Sequence, residues 1–334
     1  MRNQRWFSAL TTTLFAGLAT VTIAASASAQ VKDRPLKVAI LLPGAMSDNG
    51  YNADGGRTAE AIKAAFNAET QVTENVSVAN QADLYRQYAA TGNDLIIGWG
   101  GQFTDGAVQV SQEFPDVKFL IVNGNTNNDT NLASLDIDIE QWEFLGGFVT
   151  AKLSTNGVIA WLGGQCFPAT AANLHGVEQG AKYANPEVKV LSTFTGDFED
   201  PTKAQQAAQA MFESGGVTAL TGNLNNGWFG VFKAAQSANN VPLVTEWVDN
   251  SSLAPDVIHS SINKSQSTFV VEIARSVVDG TFKGDHHQFG LTDSWEGSVM
   301  VKGKLSDELY KEAVELQAKL VSGEVKAARD ESCP

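Results

Sequence analysis

The chain is poor in cysteine, poor in cations, and without a segment apolar enough to span a bilayer beyond its first thirty residues. Two cysteines in 334 residues exclude a disulfide-built scaffold and any four-cysteine zinc module. Twenty-three Lys and Arg against 37 Asp and Glu leave a formal charge of −14. That balance excludes a nucleic-acid polymer as partner, because phosphate binding is driven by Lys and Arg. It also speaks against docking on an anionic membrane surface. The histidines are His175, His259, His286 and His287, and none has the spacing of a metal-binding helix such as H-E-x-x-H. His286-His287 reads as a solvated loop and His175 as a packing residue inside a helix. There is no G-x-S-x-G elbow and no P-loop, and Gly98-Trp99-Gly100-Gly101 lacks the third glycine of a dinucleotide fingerprint. No histidine lies near Cys166 to activate it as a nucleophile. The expectation is a protein that is not an enzyme and that uses no metal or cofactor.

What is present is a globular core. Hydrophobic residues make up 43% and charged ones 18%, and the length suits two domains of about 150 residues each. Arg2 and Arg5 precede an uncharged stretch from Trp6 to Ala25, followed by Ala27-Ser28-Ala29. This is the layout of a cleavable secretory signal over residues 1–29. A membrane anchor is the weaker reading, given the threonines and alanines of the stretch. Loss of the two arginines takes the charge to −16. No cysteine follows the stretch to take a lipid, so the expected location is a periplasm, in free form. In that oxidising setting Cys166 and Cys333 either pair or stay as thiols, and the sequence leaves both open.

From residue 36 onward short apolar runs alternate with helical patterns. Leu36–Leu42, Leu95–Gly98, Lys118–Val122, Val158–Leu162, Val217–Thr221 and Leu243–Trp247 read as parallel strands covered on both faces. Further strands are expected over Val76–Ala79, Ser134–Ile139, Val188–Phe194 and Val257–Ile262, and near Phe289. Helices are expected over Gly56–Asn67, through Leu84 and Tyr88, and over Ala107–Glu113, Gln141–Leu153, Ala171–Tyr183, Pro201–Ser214, Gly230–Ala238, Thr268–Asp279 and Ser306–Val321. The pattern predicts an α/β fold of two doubly wound, Rossmann-like lobes joined by hinge crossovers. The expected lobes are residues 30–139 with 262–292, and residues 140–261 with 293–334.

In open α/β sheets ligands sit beyond the carboxyl ends of the strands. The loops there carry Asp48, Asn49, Tyr51 and Asn52; Trp99, Phe103 and Asp105; Cys166 and Phe167; Asn226 and Trp228; and Trp247. Aromatic faces beside amides and carboxylates suit a flat, hydrogen-bonding ring.

With these loops in view the chain resembles the basic membrane protein family of substrate-binding proteins for ABC transporters. The resemblance runs from about Lys37 to about Gly323. It rests on Asp48-Asn-Gly-Tyr51-Asn52, Phe103-Thr-Asp105, Phe114-Pro-Asp-Val-Lys-Phe119, Phe144-Leu-Gly-Gly147, Asp200-Pro201-x-Lys203 and Leu253-Ala-Pro-Asp256. It implies the type I periplasmic binding-protein fold, a purine base or nucleoside as ligand, an ABC permease as partner, and a monomer. By the same resemblance Tyr51 stands at the family's stacking Phe, Asp105 hydrogen-bonds base or sugar, and Lys264 helps hold ribose hydroxyls. Trp247 falls where nucleoside binders carry Asp, and Trp228 replaces a small residue. Both changes point to a smaller heterocycle such as a free base. The alternatives are a binding protein for a sugar or amino-acid derivative, a sensor's ligand-binding partner, and a periplasmic nucleoside-processing enzyme.

Overall fold

A computed structural model describes residues 34–48, 50–291 and 299–334. The proposed signal over residues 1–29 lies outside them, as does Asn49. Eleven strands and nine helices are described. Strands β1 (Lys37–Leu41), β2 (Glu69–Thr73), β3 (Leu95–Trp99), β4 (Lys118–Val122), β5 (Leu132–Ile137) and β11 (His286–Phe289) form one sheet, in the order β11-β5-β4-β3-β1-β2. Strands β6 (Val158–Gly163), β7 (Lys189–Phe194), β8 (Ala219–Asn223), β9 (Leu243–Trp247) and β10 (Ile258–Asn263) form the second, in the order β10-β9-β8-β6-β7. All paired strands are parallel. Helices α1 (Tyr51–Phe66), α2 (Gln81–Ala90) and α3 (Thr104–Glu113) belong to the crossovers of the first sheet. Helices α5 (Pro168–Ala184), α6 (Pro201–Glu213) and α7 (Trp228–Ser237) belong to those of the second. This is the α/β class the alternating pattern predicts.

The interior strands are buried because both faces are covered. Val38 to Leu41, Leu95 to Ile97 and Phe119 to Val122 are fully buried. Each Val, Leu, Ile or Phe among them contributes about 1.5–3 kcal/mol of transfer energy. The edge strands β2 and β7 are partly exposed and correspondingly polar. That polarity explains the first difference from the expected pattern. The strand lies over Glu69–Thr73, not over 76–79, and Val78–Asn80 is a single 3-10 turn leading into α2. In Glu-Thr-Gln-Val-Thr only Val72 is apolar, so the alternation carries no signal.

The chain passes from the first sheet to the second through α4 (Ile139–Leu153), returns after β10 through α8 (Ser267–Asp279), and leaves again after β11 for α9 (Asp307–Ser322). Helix α4 is buried on nearly every side and lies directly against α5. Two glycines permit the approach: a Cβ on Gly147 would stand 2.0 Å from the Val177 carbonyl oxygen, and one on Gly180 1.8 Å from that of Phe144. Among the described residues no helix is long and apolar enough to cross a membrane.

The loop assignment of His286-His287 and the packing role of His175 change, while His286 is exposed as expected. His286 and His287 lie in β11, where a histidine nitrogen, Nδ1 of His286, is 2.8 Å from Ser134 Oγ. This is the short strand expected near Phe289, begun three residues earlier and paired with β5. His175 does lie on α5, but it binds Glu178 and the Ser332 carbonyl instead of packing in the core. Cys166 and Cys333 are joined, with Cα atoms 6.0 Å apart. The bond ties the loop before α5 to the last residues of the chain.

Candidate functional site

The carboxyl ends of the two sheets open onto a shared cavity of about 590 Å³. Each wall is built from the ends of strands and the segments that follow them. The first sheet contributes Tyr51, Gln102, Asn123, Asn125 and Asp136, and the second contributes Gln165, Phe167, Phe198, Glu199, Asn223, Asn225 and Trp247. Arg329 and Glu331 from the tail complete the lining.

Tyr51 owes its position to the residues before it. Asp48 accepts hydrogen bonds from the backbone N–H of Gly50 (2.8 Å), Asn52 (2.8 Å) and Ala53 (2.9 Å), and from Asn52 Nδ2 (2.7 Å). Asn52 Oδ1 accepts from the Gly44 N–H at 2.9 Å. The donors at the start of α1 are thereby satisfied, which allows the helix to begin at Tyr51, five residues before the apolar periodicity starts. Asp48 and Asn52 are buried and act as this brace; neither lines the cavity. Trp99, fully buried at the end of β3, donates from Nε1 to the Tyr51 carbonyl at 2.9 Å and lies beneath the phenol ring. The Tyr51 hydroxyl donates to Asn123 Oδ1 at 2.9 Å. Burial, with Asp54, Asp136 and Asp48 nearby, pushes its pKa well up, so the phenol stays neutral.

Trp247 closes the opposite side. Its ring centroid is 5.0 Å from that of Tyr51, and its φ is +76°. Among the described residues the other six non-glycine residues with positive φ are Asn or Asp. A bulky residue is seldom held there, so the surrounding contacts must impose the conformation. Below it lies Lys264, fully buried, with Nζ 4.6 Å from the indole centroid. Lys264 bonds Glu143 at 2.5 Å and also Glu246, and Glu246 accepts from Asn223 Nδ2 at 3.1 Å and the Leu224 N–H at 3.2 Å. Burial raises both carboxyl pKa values against the pull of the lysine. Burial also opposes the charge on Lys264, but the two carboxylates outweigh it and raise its pKa. The ammonium is thus committed to the floor beneath Trp247 and does not line the cavity.

The remaining expected residues divide. Phe167 is on the cavity rim, half-exposed, and stacks on Phe198 at 6.3 Å and 19°. Asn226 donates to Glu199 Oε2 at 2.8 Å, beside the lining Asn225, and holds that carboxylate in place. Trp228 is the first residue of α7, stacks on Phe232, and borders a void of about 10 Å³ next to Trp247. Phe103 is fully buried in the core with Tyr85 and Ile121, and Asp105 is exposed on α3; neither lines the cavity. The motif carrying them shapes the 3-10 turn and first turn of that helix, and only its neighbours Gln102 and Thr104 face the cavity.

Sequence reasoning missed Asn123, Asn125, Asp136, Phe198, Glu199, Arg329 and Glu331. The post-strand rule, extended to β4 and β7, reaches Asn123, Asn125, Phe198 and Glu199. Asp136 sits within a strand, and the tail residues follow no strand. Among the lining side chains four carboxylates (Asp136, Asp197, Glu199, Glu331) face a single cation, Arg329. Such a cavity disfavours an anion and offers a solute many hydrogen-bond acceptors and amide groups. No group of three or more His, Cys, Asp or Glu among the described residues is arranged to hold a metal ion.

The sequence model of one family, described as "ABC transporter substrate-binding protein PnrA-like", matches residues 36–331. Basic membrane protein A of Borreliella burgdorferi is 29% identical over 297 residues, covering 86% of each chain. A protein named purine-binding protein from Brucella abortus is 25% identical over 300 residues, covering 88% of this chain and 83% of that one. A solute-binding protein of an ABC transporter system from Aeropyrum pernix superposes with a TM-score of 0.78 at 20% identity, over 89% of this chain and 94% of its own, which shows the fold. One from Conexibacter woesei gives 0.71 at 26% identity, over 88% and 99%.

Proposed function

Because the chain belongs to the PnrA-like family of ABC-transporter substrate-binding proteins, an extracytoplasmic family, we propose that its solute is a neutral purine base or nucleoside. The observation that carries this reading is the cavity itself, with aromatic walls at Tyr51, Trp247 and Phe167–Phe198 and amides and carboxylates between them. Aromatic faces desolvate a flat ring while Asn123, Asn223, Asn225 and Glu199 meet its polar edge. The name of the Brucella abortus relative supports the same class. Trp247 and Tyr51 already touch, which limits depth and favours a free base over a nucleoside.

The two lobes, divided near residues 139, 261 and 292, close on the solute because it makes more contacts in the closed form. A membrane permease then receives the loaded form. The protein acts as a monomer in a periplasm after loss of residues 1–29, carries no lipid, and leaves its solute chemically unchanged. Mass spectrometry of the protein as purified, under native and then denaturing conditions, tests the ligand class. A released purine supports it. A released sugar or amino acid replaces it, and a processed nucleoside product replaces the binding role with an enzymatic one.

A further inference from the structure

The last ten residues cross the seam between the two sheets. On the side of the second sheet, the Ala328 N–H donates to Gln179 Oε1 and the Ala328 carbonyl accepts from Gln179 Nε2, both at 2.8 Å. His175 Nε2 meets the Ser332 carbonyl at 3.0 Å, and Cys333 is bonded to Cys166. On the side of the first sheet, Arg329 Nη2 donates to Asp136 at 2.6 Å and Nη1 to the Ile137 carbonyl at 3.0 Å. Nη1 also reaches Glu140 Oε2 at 3.4 Å, and Nε donates to Glu331 at 2.7 Å.

A tail held only for stability need not face the cavity, yet Arg329 and Glu331 both line it. A guanidinium has five N–H groups. Four bonds to described residues occupy Nε, both hydrogens of Nη1 and one of Nη2, which leaves one N–H on Nη2. That donor stands directly beside the Asp136 carboxylate it shares a bond with, and Asp136 lines the same cavity. Donor beside acceptor is the pattern that meets a polar ring edge, such as a ring nitrogen or carbonyl next to an N–H.

We infer that the C-terminal tail, anchored by Cys166–Cys333, is a third wall of the ligand site, and that Arg329 and Glu331 bind the solute and set its selectivity. The inference rests on the cavity being the ligand site, as proposed above. Arg329 presents its spare N–H to an acceptor on the solute. Glu331 takes a donor from it and repels anionic analogues. The disulfide keeps both residues at the cavity instead of leaving them on a free chain end.

The test is calorimetric titration of adenine, hypoxanthine and guanosine into wild type, Arg329→Gln, Glu331→Gln and the Cys166→Ser/Cys333→Ser pair. The inference expects at least tenfold weaker binding in Arg329→Gln and in the disulfide variant. It expects a changed ratio of adenine to hypoxanthine affinity in Glu331→Gln, whose exposed side chain leaves the melting temperature in place. A purely structural tail moves melting temperatures only. Affinities within twofold of wild type in both Arg329→Gln and Glu331→Gln would overturn the inference while leaving the purine reading intact. Wild type that binds none of the three purines removes the purine reading. The tail is then judged by whether the variants lose the solute retained by wild type through purification. No titrating or retained solute at all overturns both.

Discussion

Tyr51, at the start of α1, and Trp247, at the end of β9, meet with ring centroids 5.0 Å apart at an interplanar angle of 55°. One ring is carried by the first sheet's crossover and the other by the second sheet, so their contact is a direct link across the cleft. Tyr51 is held from below by Trp99 and from the side by Asn123, and Trp247 rests over the Lys264 ammonium. The cavity walls are therefore set by a stack of supported aromatics, and a buried ion cluster lies beneath Trp247, outside the cavity lining.

Trp247→Ala removes one wall, and we expect solute affinity to fall at least tenfold, about 1.4 kcal/mol. Trp247→Phe keeps a ring in contact and should lose less. Fluorescence titration checks this, because most of the emission change on binding should vanish with Trp247. The left-handed backbone at this position predicts that Trp247→Gly costs less stability than Trp247→Ala, by roughly 1 kcal/mol, measurable by urea denaturation.

Lys264→Met leaves Glu143 and Glu246 buried without their cation. We expect a loss of about 3–5 kcal/mol in urea-denaturation stability. Glu246→Gln keeps one carboxylate for the lysine and should cost much less. Equal costs for the two variants would show that the charge balance of the cluster does not matter.

The buried carboxyls also give a direction for pH. Burial pushes the Glu140 pKa up to about 7, with Asp138 and Asp136 adding to it against a backbone hydrogen bond and Arg329. Asp54 and Asp136 are raised by burial as well. A carboxyl with a raised native pKa holds a proton in the folded state where the unfolded chain has lost it. Its effect on stability is most favourable below the unfolded value near 4.5 and is lost as pH rises toward 7. For Glu140 the span is up to about 3 kcal/mol. Urea denaturation at pH 5 and pH 8 should show a smaller difference in Glu140→Gln than in wild type.

Cys166 and Cys333 close a loop of sequence separation 167. The chain-entropy model assigns such a closure a stabilisation on the order of 5 kcal/mol. Thiol titration of the denatured, unreduced protein should find no free thiol, and dithiothreitol should lower the melting temperature. Two titrating thiols without reductant would contradict the pairing.

The sequence revealed most clearly what short-range pattern controls. The interior strands β1, β3, β4, β6, β8 and β9 are continuous apolar runs, and their order with the helices was enough for the fold class. The edge strand β2 was hidden because solvent exposure removes the apolar signal, whereas β11 lies where a short strand was expected near Phe289, with a partner some 150 residues away that no local pattern names. In the site, Tyr51, Phe167 and Trp247 were legible as aromatics following strands. Lys264 was placed by resemblance at the ligand, whereas its charge is spent on Glu143 and Glu246. Asp48, Asn52 and Trp99 were legible as special residues, yet their work is to seat Tyr51. Arg329 reaches the cavity only through tertiary docking of the tail, which no local pattern encodes.

The most direct test of the account is isothermal titration of the oxidised, solute-free protein with adenine, hypoxanthine, guanosine and guanosine 5′-monophosphate. Four carboxylates against one arginine in the lining predict that a neutral purine binds at micromolar affinity or better and that the phosphate is rejected. No heat from any neutral purine, or equal binding of the monophosphate, would contradict it.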